Sequence, residues 1–467
     1  MGDPNILNSP PEDVLSTLHA DGRRRWMYPV PEKGRWWKRR FVVAWALILI
    51  FLAFPIVKIG GKPAIFLDLA HREFTFFGLT LYPTDTFLLT LFLLSGFVFI
   101  LLFTTVAGRV WCGWACPQTV YMEFLYRPIE RLIEGKETAR RRRDEGPSSF
   151  DRTWRKALKL AIFLVISAVL AHTFVAYFVS WDALIHWMTG PPTEHWGYFV
   201  MMAMTTGLVL FNFGYFREQM CTIACPYARI QSVLLDQDSL IVSYDKRRGE
   251  KRGKRNKKTA EVSGLGDCVD CGACVRTCPT GIDIRDGLQM ECITCTQCID
   301  ACDAIMIQVG KPVGLIRYTS ENALEDKQAK LLRPRSILYV VVLTVVSASF
   351  MWALSHRTPV DVNIGRVVGA PFTMLGKEKV MNRVRFRVQN RSGHDATFSV
   401  AISEPEHSEL KMIGPATFMV KNGHSERVEA FVIVPEDEFH HGRVNASFNI
   451  SNDKGDSEVA GFTLIGP

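Results

Sequence analysis

Five stretches of the chain, 41–57, 86–108, 160–181, 195–216 and 336–355, contain no Lys, Arg, Asp or Glu. Runs of about 20 such residues can cross a bilayer as helices, which satisfy every backbone polar group internally. Five spans are therefore expected. The first is short and carries Pro55 near its end. It follows KGRWWKRR, and the polar start MGDPNILNSP has no feature of a cleaved secretory signal, so a retained anchor is expected there. After the fifth run the period changes. MNRVRFRVQN at 381–390, ATFSVAI at 396–402 and RVNASFNI at 443–450 alternate apolar with polar residues, separated by NRSG, KNGH and NDKG. About seven short strands over roughly 105 residues fit an immunoglobulin-like sandwich, a docking or structural module more than a catalyst.

Composition sharpens this picture through its uneven spread. The 467 residues are 48% hydrophobic and 22% charged, with a net charge of +8. Arg23, Arg24, Arg25, Lys38, Arg39 and Arg40 precede the first run, whereas 182–194 has no Lys or Arg. Basic residues stay on the cytoplasmic side, which puts the amino terminus, 109–159 and the segment after Arg217 inside, and everything after 355 outside. At 246–258 nine of thirteen residues are basic; next to a span this reads as a cytoplasmic loop near anionic lipid, not a nucleic-acid arm. Walker A, GxGxxG and C-x-x-C-H motifs are absent, so nucleotide, direct nicotinamide and covalent haem use are unsupported.

Cysteine spacing carries the chemistry. CVDCGACVRTCP at 268–279 and CITCTQCIDACD at 292–303 each read C-x2-C-x2-C-x3-C, the bacterial two-cluster ferredoxin run. The fourth cysteine of each run ligates the other cluster, so Cys268, Cys271, Cys274 and Cys302 form one ligand set and Cys292, Cys295, Cys298 and Cys278 the second. Asp303 stands where proline follows the second run. Zinc needs only four ligands, fewer than this double pattern supplies. All 12 cysteines precede residue 355, in segments expected to be cytoplasmic or at the membrane edge, where thiols stay reduced.

The remaining four lie in a duplicated motif. GRVWCGWACPQTVY and REQMCTIACPYARI each present C-x3-C-P after an apolar run, 109 residues apart, which predicts a parallel repeat of two spans plus a motif. Pro117 and Pro226 suit the first turn of a helix, leaving Cys116 and Cys225 at amino termini where the dipole favours thiolate. Brought together across the repeat, Cys112, Cys116, Cys221 and Cys225 would form a four-sulfur site able to bind copper or another metal, or to relay electrons. Against this stands packing as small hydrophobes. His172 lies within a span; it is a candidate metal, haem or quinone contact or simply hydrogen-bonded to its surroundings. His186 and His195, near Met188, Met201, Met202 and Met204, are a candidate copper entry point or part of an aromatic belt with Trp181, Trp187 and Trp196. His440 and His441 in EFHHG only hint at metal contact.

This order of elements resembles the CcoG family, also called FixG or RdxA, over nearly the whole chain. The resemblance implies a cytochrome oxidase accessory protein of the bacterial inner membrane, associated with copper delivery to the cbb-type oxidase and with reduction of Cu(II) to Cu(I). It implies that Cys112, Cys116, Cys221 and Cys225 are the catalytic or copper site and that the ferredoxin cysteines supply its electrons. Expected partners are a copper chaperone or transporter, oxidase assembly factors and a cytoplasmic electron donor. A quinol-linked respiratory relay and a non-catalytic assembly scaffold are the alternatives. The expected architecture is a multidomain membrane protein with a five-helix transmembrane bundle, a 2x(4Fe-4S) ferredoxin-like insert and an immunoglobulin-like β-sandwich. It divides into a cytoplasmic segment 1–40, a membrane region 41–240, a basic linker 241–261, a ferredoxin domain 262–312, a linker 313–335, a last helix 336–355 and a periplasmic domain 360–467.

Overall fold

The computed structural model describes residues 17–18, 23–70, 72–82, 85–253, 264–328, 330, 333–376 and 378–467, so the basic run 246–258 is described only to Gly253. The chain forms two compact units, Met1–Ser347 and Ala348–Pro467. In the first, helices α1 (Arg35–Ala53), α2 (Thr86–Ala107), α3 (Val110–Trp114), α4 (Pro117–Tyr121), α5 (Phe150–Val179), α6 (Trp196–Phe211), α7 (Pro226–Leu234), α8 (Ala273–Thr277) and α9 (Gln297–Gln308) are followed by α10 (Pro334–Ser355). Helix α6 continues as a π-helical turn, Asn212–Phe216.

Among the described residues, four helices have the length and composition to cross a membrane: α2, α5, α6 with its π-turn, and α10. The expected fifth span, 41–57, is corrected. Its helix ends at Ala53, two residues before Pro55, and its first six residues include Arg35, Lys38, Arg39 and Arg40. The uncharged part, from Phe41 to Ala53, reaches roughly 20 Å at the helical rise, short of the ~30 Å apolar core. At its basic end Arg40 is buried, whereas Arg35, Lys38 and Arg39 are exposed. The Asp300 carboxylate of α9 accepts the backbone N–H groups of Trp36 and Trp37 at 3.1 and 2.7 Å and so caps α1. Only glycine fits at position 34, where a Cβ would lie 2.2 Å from Asp300 Cγ. At the other end of α1, Tyr177 of α5 donates to the Phe51 carbonyl and Lys58 pairs with Asp182. Between α1 and α2 runs a small antiparallel sheet of β1 (Ile65–Asp68), β2 (Glu73–Phe76) and β3 (Leu79–Leu81).

The segment between α2 and α5 is held by buried ion pairs. Glu130 accepts two bonds from Arg217, at 2.9 and 3.0 Å, and lies 2.8 Å from Arg140. Glu218 pairs with Arg24 at 2.7 Å, and Arg127 pairs with Glu123. Burial alone raises a carboxyl; Arg217 and Arg140 outweigh it and hold Glu130 well below the usual carboxylate range. Removing one partner strands a buried charge. Arg217→Met is therefore expected to destabilise the fold by about 3–5 kcal/mol, read as a lower unfolding temperature in detergent. Wild-type thermal stability would show that the network is structurally dispensable.

The ferredoxin module extends past its expected bounds. Strand β4 (Ile241–Tyr244) pairs antiparallel with β5 (Ile316–Thr319), closing a core of Val242, Ile282, Ile299, Met306 and Leu315. The module packs directly on the membrane-edge helices. Gln297 donates to Glu123 at 3.1 Å, and Trp114 donates to the Tyr318 hydroxyl at 2.9 Å.

The second unit is a β-sandwich of β6 (Val360–Arg366), β7 (Thr373–Leu375), β8 (Lys379–Asn390), β9 (Ala396–Glu404), β10 (Glu409–Ile413), β11 (Thr417–Val420), β12 (Ser425–Pro435), β13 (Arg443–Asn452) and β14 (Ser457–Ile465). One sheet runs β10–β12–β8–β6 with β7 beside β8, the other β11–β9–β13–β14. The alternation seen in sequence puts Val384, Phe386 and Val388 of β8 against Phe398, Phe448 and Ile450. The sandwich contains no cysteine, so no disulfide contributes to it.

Candidate metal centres

The two ferredoxin runs fold as copies. Asp270 and Thr294 both have φ near +52°, and Gly272 and Thr296 both have φ near +65°, so each C-x2-C loop curls the same way into α8 or α9. The turns point the cysteines inward. One cavity is lined by Cys278, Cys292, Cys295 and Cys298 together with Cys274. A second is lined by Cys268, Cys271, Cys274 and Cys302. The grouping crosses between runs: Cys278 follows the last residue of α8 and Cys302 lies within α9, each turned to the other run's cavity. Burial pushes Cys274 and Cys292 up to about 11 and Cys295 and Cys302 up to about 12. Metal must therefore displace protons there, as thiolate ligation generally requires.

An anionic group suits the first cavity. Arg40 is fully buried, and its Nη1 and Nη2 find no hydrogen-bond partner among the described residues. Its guanidinium bears electrostatically on Cys295, and its Nε donates to the Gly113 carbonyl at 3.0 Å. A thiol-lined cavity beside a buried guanidinium whose two terminal nitrogens make no hydrogen bond among the described residues fits a thiolate-ligated 4Fe-4S cluster, whose net charge is negative.

Cys112, Cys116, Cys221 and Cys225 converge next to this cavity. Cys112 and Cys221 pack with Ile293 and Cys295, and all four thiols interact electrostatically with one another. The two motifs have one backbone design. A positive-φ break at Gly108 or Arg217 ends the membrane helix, a short turn carries the first cysteine, and Pro117 or Pro226 opens α4 or α7. Cys116 and Cys225 are the N-caps, as the prolines predict. The accompanying expectation of a favoured thiolate is corrected at Cys116. The backbone N–H groups of Gln118 and Thr119 do favour the anion, but burial outweighs them and raises the thiol. Burial likewise pushes Cys112 up to about 11 and Cys221 up to about 12. Cys112 Sγ donates to Gln231 Oε1 at 2.9 Å, and Gln231, itself fully buried, bonds Thr104.

Gly113 makes the contact between motif and ferredoxin. A Cβ there would fall 2.6 Å from the Ile293 carbonyl oxygen and 2.9 Å from Cys295 N and Cα. Gly113, Arg40, Arg109 and Gln231 were not singled out by the sequence. A signal existed for the first: the duplicated motif has glycine after Cys112 but threonine after Cys221. Arg109, 3% exposed, bonds the Met290 carbonyl and faces Cys112, Cys221 and Cys292.

The histidine candidates are not drawn to these centres. His172 Nδ1 bonds the Ala168 carbonyl within its own helix at 2.6 Å. His186 and His195 lie with ring centroids 6.4 Å apart, beside Trp187 stacked on Tyr198. His440 bridges Arg443 at the turn into β13. Among the described residues, no three His, Cys, Asp or Glu side chains are gathered closely enough for a single metal ion, and this holds for the cysteine quartets too.

Three family models match the chain. A 4Fe-4S dicluster domain covers 216–321, a 4Fe-4S binding domain covers 89–136, and the Ig-like fold at the C-terminus of FixG covers 350–467. Protein RdxA of Cereibacter sphaeroides is 36% identical over 383 residues, 79% of each chain. Nitrogen fixation protein FixG of Rhizobium meliloti is 31% identical over 491 residues, 92% of this chain and 93% of the relative. Protein RdxB of Cereibacter sphaeroides is 32% identical over 423 residues, 87% of this chain and 88% of the relative.

Proposed function

Since this chain belongs to the FixG and RdxA family, we propose that it is an inner-membrane electron-transfer protein reducing Cu(II) to Cu(I) for assembly of a cbb-type cytochrome c oxidase. The observation that carries the reading is the unbroken sequence of thiol sets. The two ferredoxin cavities share Cys274, and the first abuts the membrane-edge quartet through Gly113, Ile293 and Cys295. In this reading Cys268, Cys271, Cys274 and Cys302 hold one 4Fe-4S cluster and Cys278, Cys292, Cys295 and Cys298 the other. When bound, each cluster supplies a one-electron carrier.

The chain's own residues supply the rest. Gly113 keeps the quartet against the second ferredoxin run, and Arg40 and Arg109 balance the negative charge gathered there. Trp36, Trp114 and Tyr318 pack edge to face over the joint and exclude water. Soft sulfur donors favour Cu(I) over Cu(II), so a cupric ion meeting Cys112, Cys116, Cys221 and Cys225 is biased toward accepting one electron. A cytoplasmic donor supplies that electron, and a copper chaperone or transporter acting with oxidase assembly factors receives the Cu(I).

The basic segments 109–159 and 246–258 argue for a cytoplasmic ferredoxin module, with the basic run near lipid headgroups and the sandwich periplasmic.

The test is anaerobic. Purified protein is reduced, Cu(II) is added with a Cu(I)-specific chelator, and cluster absorbance and trapped Cu(I) are followed together. Cu(I) is expected to form electron for electron with cluster oxidation, and Cys112→Ser with Cys221→Ser to abolish it while both ferredoxin EPR signals survive. Clusters that stay reduced with copper but are oxidised by a quinone would replace this reading with a respiratory relay.

A further inference from the structure

We infer that Cys112, Cys116, Cys221 and Cys225 together hold a third 4Fe-4S cluster, so that the membrane-edge quartet is itself a metal centre of the electron path. The inference rests on the reading of that quartet as the electron exit and changes what its sulfurs hold: they ligate iron, and Cu(II) takes its electron from this cluster instead of binding the four thiols.

The first support is the way the site is assembled. Each half of the duplicated unit brings two cysteines, 109 residues apart in sequence. The halves share more than spacing. Cys116 N–H bonds the Trp111 carbonyl and Cys225 N–H bonds the Met220 carbonyl, both at 2.9 Å and both five residues back. Cys116 and Cys225 have the same extended backbone, φ −62° and −73°, each followed by a proline-initiated helix. Closure of the two halves on each other gives four thiols, the ligand number of one cubane.

A second support is independent of this geometry. The 4Fe-4S binding model over 89–136 contains only Cys112 and Cys116, half a ligand set. The dicluster model begins at 216 and so takes in Cys221 and Cys225 in addition to the eight run cysteines. Contact between the two segments supplies the missing half.

The surroundings fit a compact anionic group more than a lone ion. As in the two ferredoxin quartets, no three ligands of this quartet are drawn to single-ion distance among the described residues. Arg109 lies between the quartet and the neighbouring ferredoxin thiols, facing Cys112, Cys221 and Cys292, where one cation offsets two negative centres. Gln231 accepts from the Cys112 thiol; with its amide turned over it donates to a thiolate instead, since its other partner, the Thr104 hydroxyl, both donates and accepts.

The experiment counts metal in the full-length protein. After anaerobic purification and reconstitution with iron and sulfide, the wild type is expected to hold about twelve irons and matching acid-labile sulfide per chain, where two clusters account for about eight. Cys112→Ser with Cys221→Ser is expected to fall to about eight while keeping both ferredoxin EPR signals, and Cys225→Ser alone to lose the same Mössbauer component. About eight irons in the wild type, unchanged by either variant, would overturn the inference, as would X-ray absorption showing a mononuclear Cu–S site in the quartet of protein reconstituted with iron and sulfide before copper addition. The copper reading is tested separately by trapped Cu(I): about twelve irons without Cu(I) removes copper reduction alone, and Cu(I) with about eight irons removes the third cluster alone.

Discussion

Gly113→Val is expected to leave both ferredoxin clusters in place and to slow cupric reduction about a hundredfold, the scale of effect when reacting groups are displaced by roughly 1 Å. Residue 113 has no side chain because none fits. The atoms a Cβ would meet, the Ile293 carbonyl oxygen at 2.6 Å and Cys295 N and Cα at 2.9 Å, belong to the backbone of the second ferredoxin run. They cannot rotate aside as a side-chain tip would. The motif must instead withdraw from the run, and with it Cys112, whose thiol packs on Ile293 and Cys295. The Arg40 Nε bond to the Gly113 carbonyl goes too. Stopped-flow oxidation of the reduced protein by Cu(II), beside EPR of the clusters, separates lost connection from lost folding. Wild-type rates in the variant would mean that electrons leave by another route.

Arg40→Met is expected to lower the midpoint potential of the cluster beside Cys295 by on the order of 100 mV, equivalent to roughly 2 kcal/mol for one electron at the effective dielectric of protein sites. The sign follows from charge. Reduction adds an electron to an already negative group, and a buried guanidinium beside it lowers the cost; methionine fills similar space without the cation. Arg40 is fully buried, with both terminal nitrogens lacking a hydrogen-bond partner among the described residues, so water does not screen it. Its other electrostatic neighbours are Glu123 and Tyr318. Redox titration followed by EPR reads the shift. An unchanged potential would assign Arg40 to docking alone.

Local spacing made much of this protein legible. Four of the five charge-free runs became helices of spanning length, with ends within a few residues of those expected, apart from the amino-terminal extension of α5, because lipid-crossing segments are defined by composition over a short window. Period-two alternation marked the sandwich strands for the same local reason. The crossed grouping of the ferredoxin cysteines follows from the extra residue before the last cysteine of each run, a rule about one turn of chain. Pro117 and Pro226 likewise fixed where helices begin.

What spacing left open depends on residues far apart in sequence. Residues 34–37 face Asp300 across more than 260 positions, and that contact, not apolarity, holds the basic end of α1 in place. Burial reversed the thiolate expectation at Cys116: a helix terminus is written in the sequence, whereas loss of solvent is a property of everything packed around it. The sequence by itself determined the membrane helices, the eight ferredoxin cysteines and the duplicated motif, since each is a pattern of neighbours along one chain segment. Only the tertiary structure decided that the motif halves meet, that Gly113 seats them on the second ferredoxin run, and that Arg40 and Arg109 stand between the sulfurs, because close approach and shared burial arise when distant segments compete for the same space.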